Sequence, residues 1–205
     1  MKQFLILSAL AASLGVASAC SSAPESTTTN RAANTNTTVA NTATTGTANT
    51  AKADDTPAAV KAVFPDAQSF TTQHKDIPAD KIASIEKDTS SKVPDKDHHS
   101  YLAFSTTGGA RKQIGAATIV KVEGRDVVVV YDNKDGSPVI KEVRAEGVPA
   151  PYLAQFAGKG HDNDLLLGAD IKASGANDAQ AKAITEAVRV DVLTMQALYG
   201  AAHKH

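Results

Sequence analysis

Large apolar residues recur at helical spacing near the C-terminus: Ile184, Val188, Val192, Met195 and Tyr199, with Ala183, Ala187 and Leu198 beside them. One face of a 3.6-residue repeat is thereby apolar, which predicts a long helix over 178–199 that stops at Gly200. Upstream the period shortens. Residues 114–122 are rich in β-branched side chains and 127–131 read Val-Val-Val-Val-Tyr, so both are expected to be strands. Glu123-Gly124-Arg125 joins them as a tight turn, and Asp132-Asn133-Lys134-Asp135-Gly136 makes a second hairpin turn. Over 139–145, Val139, Lys141 and Val143 alternate with Ile140, Glu142 and Arg144, as in a half-buried strand. Consecutive strands linked this way form an antiparallel meander. The expected class is therefore α+β, a meander sheet packed against helices. Shorter signals complete the pattern. Helices are expected over 57–64 (Val60, Val63 and Phe64 on one face), 79–87 (Ile82 and Ile85) and 149–156 (Leu153 and Phe156 inward). A short strand is expected over 101–105, with a break at Gly108-Gly109 and a buried strand or turn over 165–167. Residues 90–100 are polar, charged and contain Pro94, which predicts a loop.

At the other end the patterning is that of a targeting segment. Lys2 precedes an apolar run over 4–16 that is too short to span a membrane, and Ala17-Ser18-Ala19 lead directly to Cys20, the only cysteine. This resembles a bacterial lipoprotein signal. Residues 1–19 would be removed and Cys20 lipidated, leaving no thiol for other chemistry. Ordinary secretion with cleavage after Ala-x-Ala is the alternative. Residues 20–56 are dominated by Thr, Asn and Ala, with little apolar area to offset their ordering entropy, and read as a disordered tether. Residues 57–205 then form one domain. A net charge of −1 argues against nucleic-acid binding driven by phosphate electrostatics. The expected setting is extracytoplasmic, on the periplasmic side of a bacterial membrane, with the membrane itself as partner through the lipid.

Candidate chemistry centres on Ser174-Gly175-Ala176-Asn177, at the mouth of the long helix. A small turn entering a helix leaves N–H groups without acceptors, and with the helix dipole these favour a phosphate. Gln155-Phe156-Ala157-Gly158-Lys159, then Ser174-Gly175-Ala176, then the helix opening Ala179-Gln180-Ala181-Lys182-Ala183-Ile184 follow one another in order. Together with the preceding hairpins this resembles the FMN-binding domain of the Na+-translocating NADH:quinone reductase and Rnf complexes, over roughly residues 104–190. In that family a Thr or Ser after Ser-Gly-Ala carries FMN through a phosphoester. Here Asn177 stands in its place, so the resemblance implies noncovalent FMN at Ser174, Gly175, Ala176 and Asn177, and a membrane redox partner. The acidic residue that precedes the family motif is displaced as well: Asp170 lies one position too far upstream and Lys172 sits nearest to it. Asn177 is equally suited to cap the helix, with Gln180 at the capping-box position. A degenerate, cofactor-free binding module on the same fold is the alternative function, and Asp178 counts towards it because its charge repels a phosphate. Either way the protein reads as an electron-transfer or binding protein more than a stand-alone enzyme.

Lys159 and Lys172 are candidate counter-charges, and Tyr101, Tyr131, Tyr152 and Phe156 candidate ring neighbours, each with a plainer existence on the surface or in the core. His161-Asp162 is a candidate loop beside the flavin. His98-His99, with Asp95 and Asp97, has metal-ligand residue types, but adjacent ligands in a flexible loop rarely suffice and no metal site is assigned.

Overall fold

The structure, a computed structural model, describes residues 55–201. The expected export signal, Cys20, nearly all of the expected tether and the terminal His203 and His205 lie outside these residues. The chain divides into units Met1–Gly46 and Thr47–His205, and every described residue belongs to the second. Its elements are α1 (Ala58–Val63), β1 (Ser69–Asp76), α2 (Ala79–Thr89), β2 (Asp97–Ser105), β3 (Lys112–Val122), β4 (Arg125–Lys134), β5 (Ser137–Ala145), α3 (Ala150–Leu153), a 3-10 turn over Ala154–Phe156, and α4 (Asp178–Tyr199). The strands form one antiparallel sheet in the order β1-β2-β3-β4-β5, so the α+β meander expected from the patterning is the observed fold.

Both faces of the sheet are covered, by unequal layers. α4 and α3 cover one face, burying Val127, Val129, Tyr131, Ile140 and Val143 against Ile184, Val188 and Val192. α1 covers the other, where Val60 and Phe64 meet Ala103, Ala117, Val128 and Val130. This is why 127–131 is an unbroken apolar run: its alternate side chains enter two different cores. Among the described residues no helix is long and apolar enough to cross a membrane.

Turn chemistry sets the meander. Glu123 and Gly124 have φ of 51° and 77°, and Asp135 and Gly136 have φ of 53° and 84°. Positive φ at both central residues gives the twist that a two-residue hairpin needs. The second connection is tighter than the five-residue turn expected, since 132–134 remain in β4. In β5 the expected alternation breaks. Val130 pairs with Glu142 but Tyr131 pairs with Ile140, so Lys141 is an extra residue and Ile140 and Val143 both turn inward. The open edge of β5 is met by residues 158–160: Ile140 N–H donates to Lys159 O (2.8 Å) and Gly158 N–H to Ile140 O (2.8 Å).

One expectation fails on the opposite side, and one strand is unforeseen. Residues 69–76, to which the patterning assigns no element, form β1; this edge strand is half-buried or exposed throughout, so it has no apolar period. Residues 90–100 are not all loop, because β2 begins at Asp97 and pairs with β1 in full register, His74 opposite His99 and Asp76 opposite Asp97.

Gly115 lies on β3 beneath α1. A Cβ placed there would sit 2.6 Å from Phe64 Cε1. Gly115→Ala is expected to push α1 off the sheet and to cost about 1–3 kcal/mol, read as a lower urea midpoint with unchanged slope. Phe64→Leu in the same chain should recover part of the loss.

Candidate functional site

Ser174 and Gly175 both adopt positive φ, 43° and 92°. For Ser174 this conformation costs about 1 kcal/mol or more, so something must hold it. Gln155 does so. Its Nε2 donates to Ser174 Oγ (3.0 Å) and Lys172 O (2.8 Å), and its Oε1 accepts from Lys172 N–H (2.9 Å). Ala176 N–H closes the turn on Ala173 O at 2.9 Å. Asn177 is then the N-cap of α4: its Oδ1 accepts from Gln180 N–H at 2.8 Å. That bond serves one first-turn donor. The N–H groups of Asp178 and Ala179 have no acceptor inside the helix, as at any N-terminus. Ser174, Gly175 and Asn177 are exposed, so a small anion can reach them.

Other expected partners fall elsewhere. Asp170 is used locally, its Oδ2 accepting from Leu166 N–H (3.2 Å). Tyr131, Tyr152 and Phe156 are core residues at 2% exposure or less, so three of the four aromatic candidates cannot face a ligand at the turn. Tyr152 hydroxyl donates to Ala181 O (2.8 Å) and lies 2.8 Å from Thr185 Oγ1, pinning α3 to α4. Tyr101 is half-buried against the α1 side of the sheet. His161 pairs with its neighbour Asp162 at 3.0 Å, next to Gly160, which bridges to Val139 of β5.

The sheet itself holds a feature the patterning did not suggest. Pairing between β2 and β3 runs only from Tyr101–Ala117 to Ser105–Lys112. Beyond Tyr101 the strands fork: 97–100 pair with β1 and 118–122 with β4. Asp191 of α4 reaches into the fork. It accepts from Tyr131 hydroxyl (2.7 Å) and Thr118 hydroxyl (2.5 Å), and His98 Nε2 lies 3.1 Å from its other oxygen. Asp191 is 7% exposed, and the other ring nitrogen of His98 is buried with no hydrogen-bond partner among the described residues. A cavity of about 760 Å3 opens from this polar floor towards Asp97, His99 and Tyr101. The sequence signal was a single charged residue inside the apolar stripe of the helix, Asp191 one turn after Ala187.

A second, broader groove of about 1320 Å3 lies between α1, the β3–β4 turn, the end of β5 and α3, and its walls carry Lys121, Arg125 and Arg144 together with Glu123, Asp126, Glu142 and Glu146. A third, of about 900 Å3, is bounded by Leu102, Tyr131, Asn133 and Tyr199. None of these three is lined by Ser174, Gly175, Ala176 or Asn177. No protein-family model, curated protein or solved structure matches this chain.

Burial, and then the negative charge of Asp191, push the Tyr131 phenol well above its ordinary value. A phenol raised on folding gives stability that is complete below the unfolded value of about 10 and is lost as pH rises towards the folded value. Tyr131→Phe should therefore cost about 1–3 kcal/mol at neutral pH, by leaving Asp191 one donor short. It should also flatten the fall in stability above pH ~10. Urea midpoints across that pH range, beside tyrosinate absorbance, measure both effects.

Proposed function

We propose that this domain is an FMN-binding module that holds its cofactor noncovalently, tethered outside the cytoplasm through Cys20. It passes electrons to a membrane partner and turns over no substrate of its own. Cys20 and the export signal lie outside the described residues, so that half of the reading rests on the sequence. The observation that carries the flavin half is the Ser174–Asn177 turn: exposed, left-handed at two residues, and braced by Gln155 from the other half of the motif. It precedes a helix of 22 residues whose first N–H groups remain open. Phosphate fits there, on the N–H groups of Asp178 and Ala179. Pro149 borders Gly175, and the next residue, Ala150, belongs to the wall of the broad groove, where Lys121 and Arg144 are paired with Asp126 and Glu142 and Arg125 is a further cation. That groove is the favoured path for the ring. FMN would supply the redox chemistry, and the chain would supply position and charge.

A cofactor-free binding module is the second reading, and the fork cavity favours it. That cavity has a polar, buried floor and touches no residue of the turn. Asp178 in the first turn of α4 also weighs against an anion.

Titration of purified protein with FMN and with riboflavin separates the readings. FMN should bind and riboflavin, lacking the phosphate, should bind markedly less well. A saturating excess of about 100 times the dissociation constant should stabilise the fold by about 2.7 kcal/mol. Asp178→Asn should tighten FMN about two- to fivefold by removing a charge from the helix N-terminus. Coexpression with a flavin transferase should leave the mass unchanged. If FMN neither quenches nor stabilises, the flavin reading fails and the binding-module reading stands; an FMN-sized adduct would overturn the assignment of Asn177 as a noncovalent position.

A further inference from the structure

The adjacent histidines His98 and His99 are on a strand, so they point to opposite faces. His98 turns in to Asp191, while His99 turns out, towards β1. There the register sets His74 directly opposite His99, with Asp97 two residues along on the same face. Asp97 Oδ2 lies 2.9 Å from His99 Nε2 and 3.3 Å from His74 Nδ1, and the two imidazole rings are 4.1 Å apart. One ligand atom from each of the three residues falls within 4.8 Å of the others.

We propose that His74, Asp97 and His99 form an open site for a divalent transition metal, with Zn2+ as the fitting ion. Two imidazole nitrogens and one carboxylate oxygen are the donor set of zinc and its neighbours, whereas calcium and magnesium prefer oxygen alone. Tetrahedral bonds of about 2.0–2.1 Å place ligand atoms about 3.3 Å apart, close to the 2.9 and 3.3 Å that separate Asp97 Oδ2 from the two imidazole nitrogens. All three ligands stand on paired strands, which hold them in place before any ion arrives. Charge agrees. Asp76 is opposite Asp97 on the same face, and two facing carboxylates repel unless a cation lies between them. Lys75 and Lys96 each adjoin a ligand in sequence, Lys96 just ahead of the first residue of β2. Lys75, as the strand neighbour of His74, alternates away from the ligand face, and its Nζ donates to Leu198 O at 2.6 Å. Asp97 N–H donates to Asp95 Oδ1 (3.0 Å), which steadies the start of the strand. With three protein ligands, at least one coordination position is left for water or a small anion. The site is independent of the flavin reading and uses none of its residues.

Zinc is titrated by calorimetry into the full chain carrying C20S, H203Q and H205Q, so that no thiol or terminal histidine contributes. One equivalent should bind. His74→Ala and His99→Ala should each weaken binding at least about tenfold, while Lys75→Ala leaves it unchanged. Circular dichroism reports whether each variant stays folded. Co2+ on the chain with all three ligands intact is the second measurement, and should give the visible bands of a four- or five-coordinate ion. Equal affinity with and without His74 and His99, or a Co2+ spectrum like that of the aqueous ion, would overturn the proposal.

Discussion

One buried carboxylate ties the fold together. Asp191 is on the sheet-facing side of α4, and its two oxygens are in contact with His98 of β2, Thr118 of β3 and Tyr131 of β4. Taking a carboxylate out of water costs several kcal/mol, and the cost is offset only where donors replace the lost hydration. Those donors come together in one place, at the point where β2 and β3 part. Sliding or rotating α4 by a single residue would pull the carboxylate away from all of them. Apolar neighbours such as Val188 and Val192 would tolerate such a slip far better, because hydrophobic contact is not directional. Position along the sheet is therefore set by Asp191, and adhesion by the apolar stripe around it.

Fixing α4 fixes what lies at its ends. Tyr152 is bonded to Ala181 and Thr185, so α3 follows the helix, and Gln155, one residue short of the end of the 3-10 turn, is carried to Ser174. The strained turn is thus built against an element that the helix itself has positioned. The fork has the same origin. Continued pairing of β2 with β3 would bring Ser100 to Thr118 and close the space that the Asp191 carboxylate occupies. The opening leaves the first residues of β2 with only β1 as a partner, and on that outward face His99 meets His74.

Legibility in the sequence followed burial. α4 was readable from end to end because its apolar residues face one core at a regular period, and β3, β4 and β5 because their turns require Asp-Gly or Glu-Gly chemistry. β1 was not readable: Ser-Phe-Thr-Thr-Gln-His-Lys-Asp has one large apolar residue, and an edge strand that is never fully buried imposes no period. The start of β2 was hidden for the same reason, and with it the meeting of His74 with His99, which depends on register between segments that composition marks as loop. Asn177 as a cap was visible locally, because a cap is satisfied within three residues. Gln155 as the brace of Ser174 was not, since that contact spans a loop whose path no local signal encodes.

At Asn177, stability and covalent chemistry compete for one side chain. A helix N-terminus needs an acceptor at the cap, and Asn is among the best, somewhat better than Thr. The Asn177 oxygen bonds Gln180 N–H and thereby secures the first turn of a helix on which the whole sheet depends. A Thr hydroxyl there can cap too, but once esterified its oxygen is a poorer acceptor and has a phosphate attached. With Asn the cap is permanent and the ester is impossible. What remains for a phosphate is the pair of N–H groups that the cap leaves open, beside the charge of Asp178. On the proposed flavin reading, position 177 offers no ester, and the cofactor would be held there by reversible contacts.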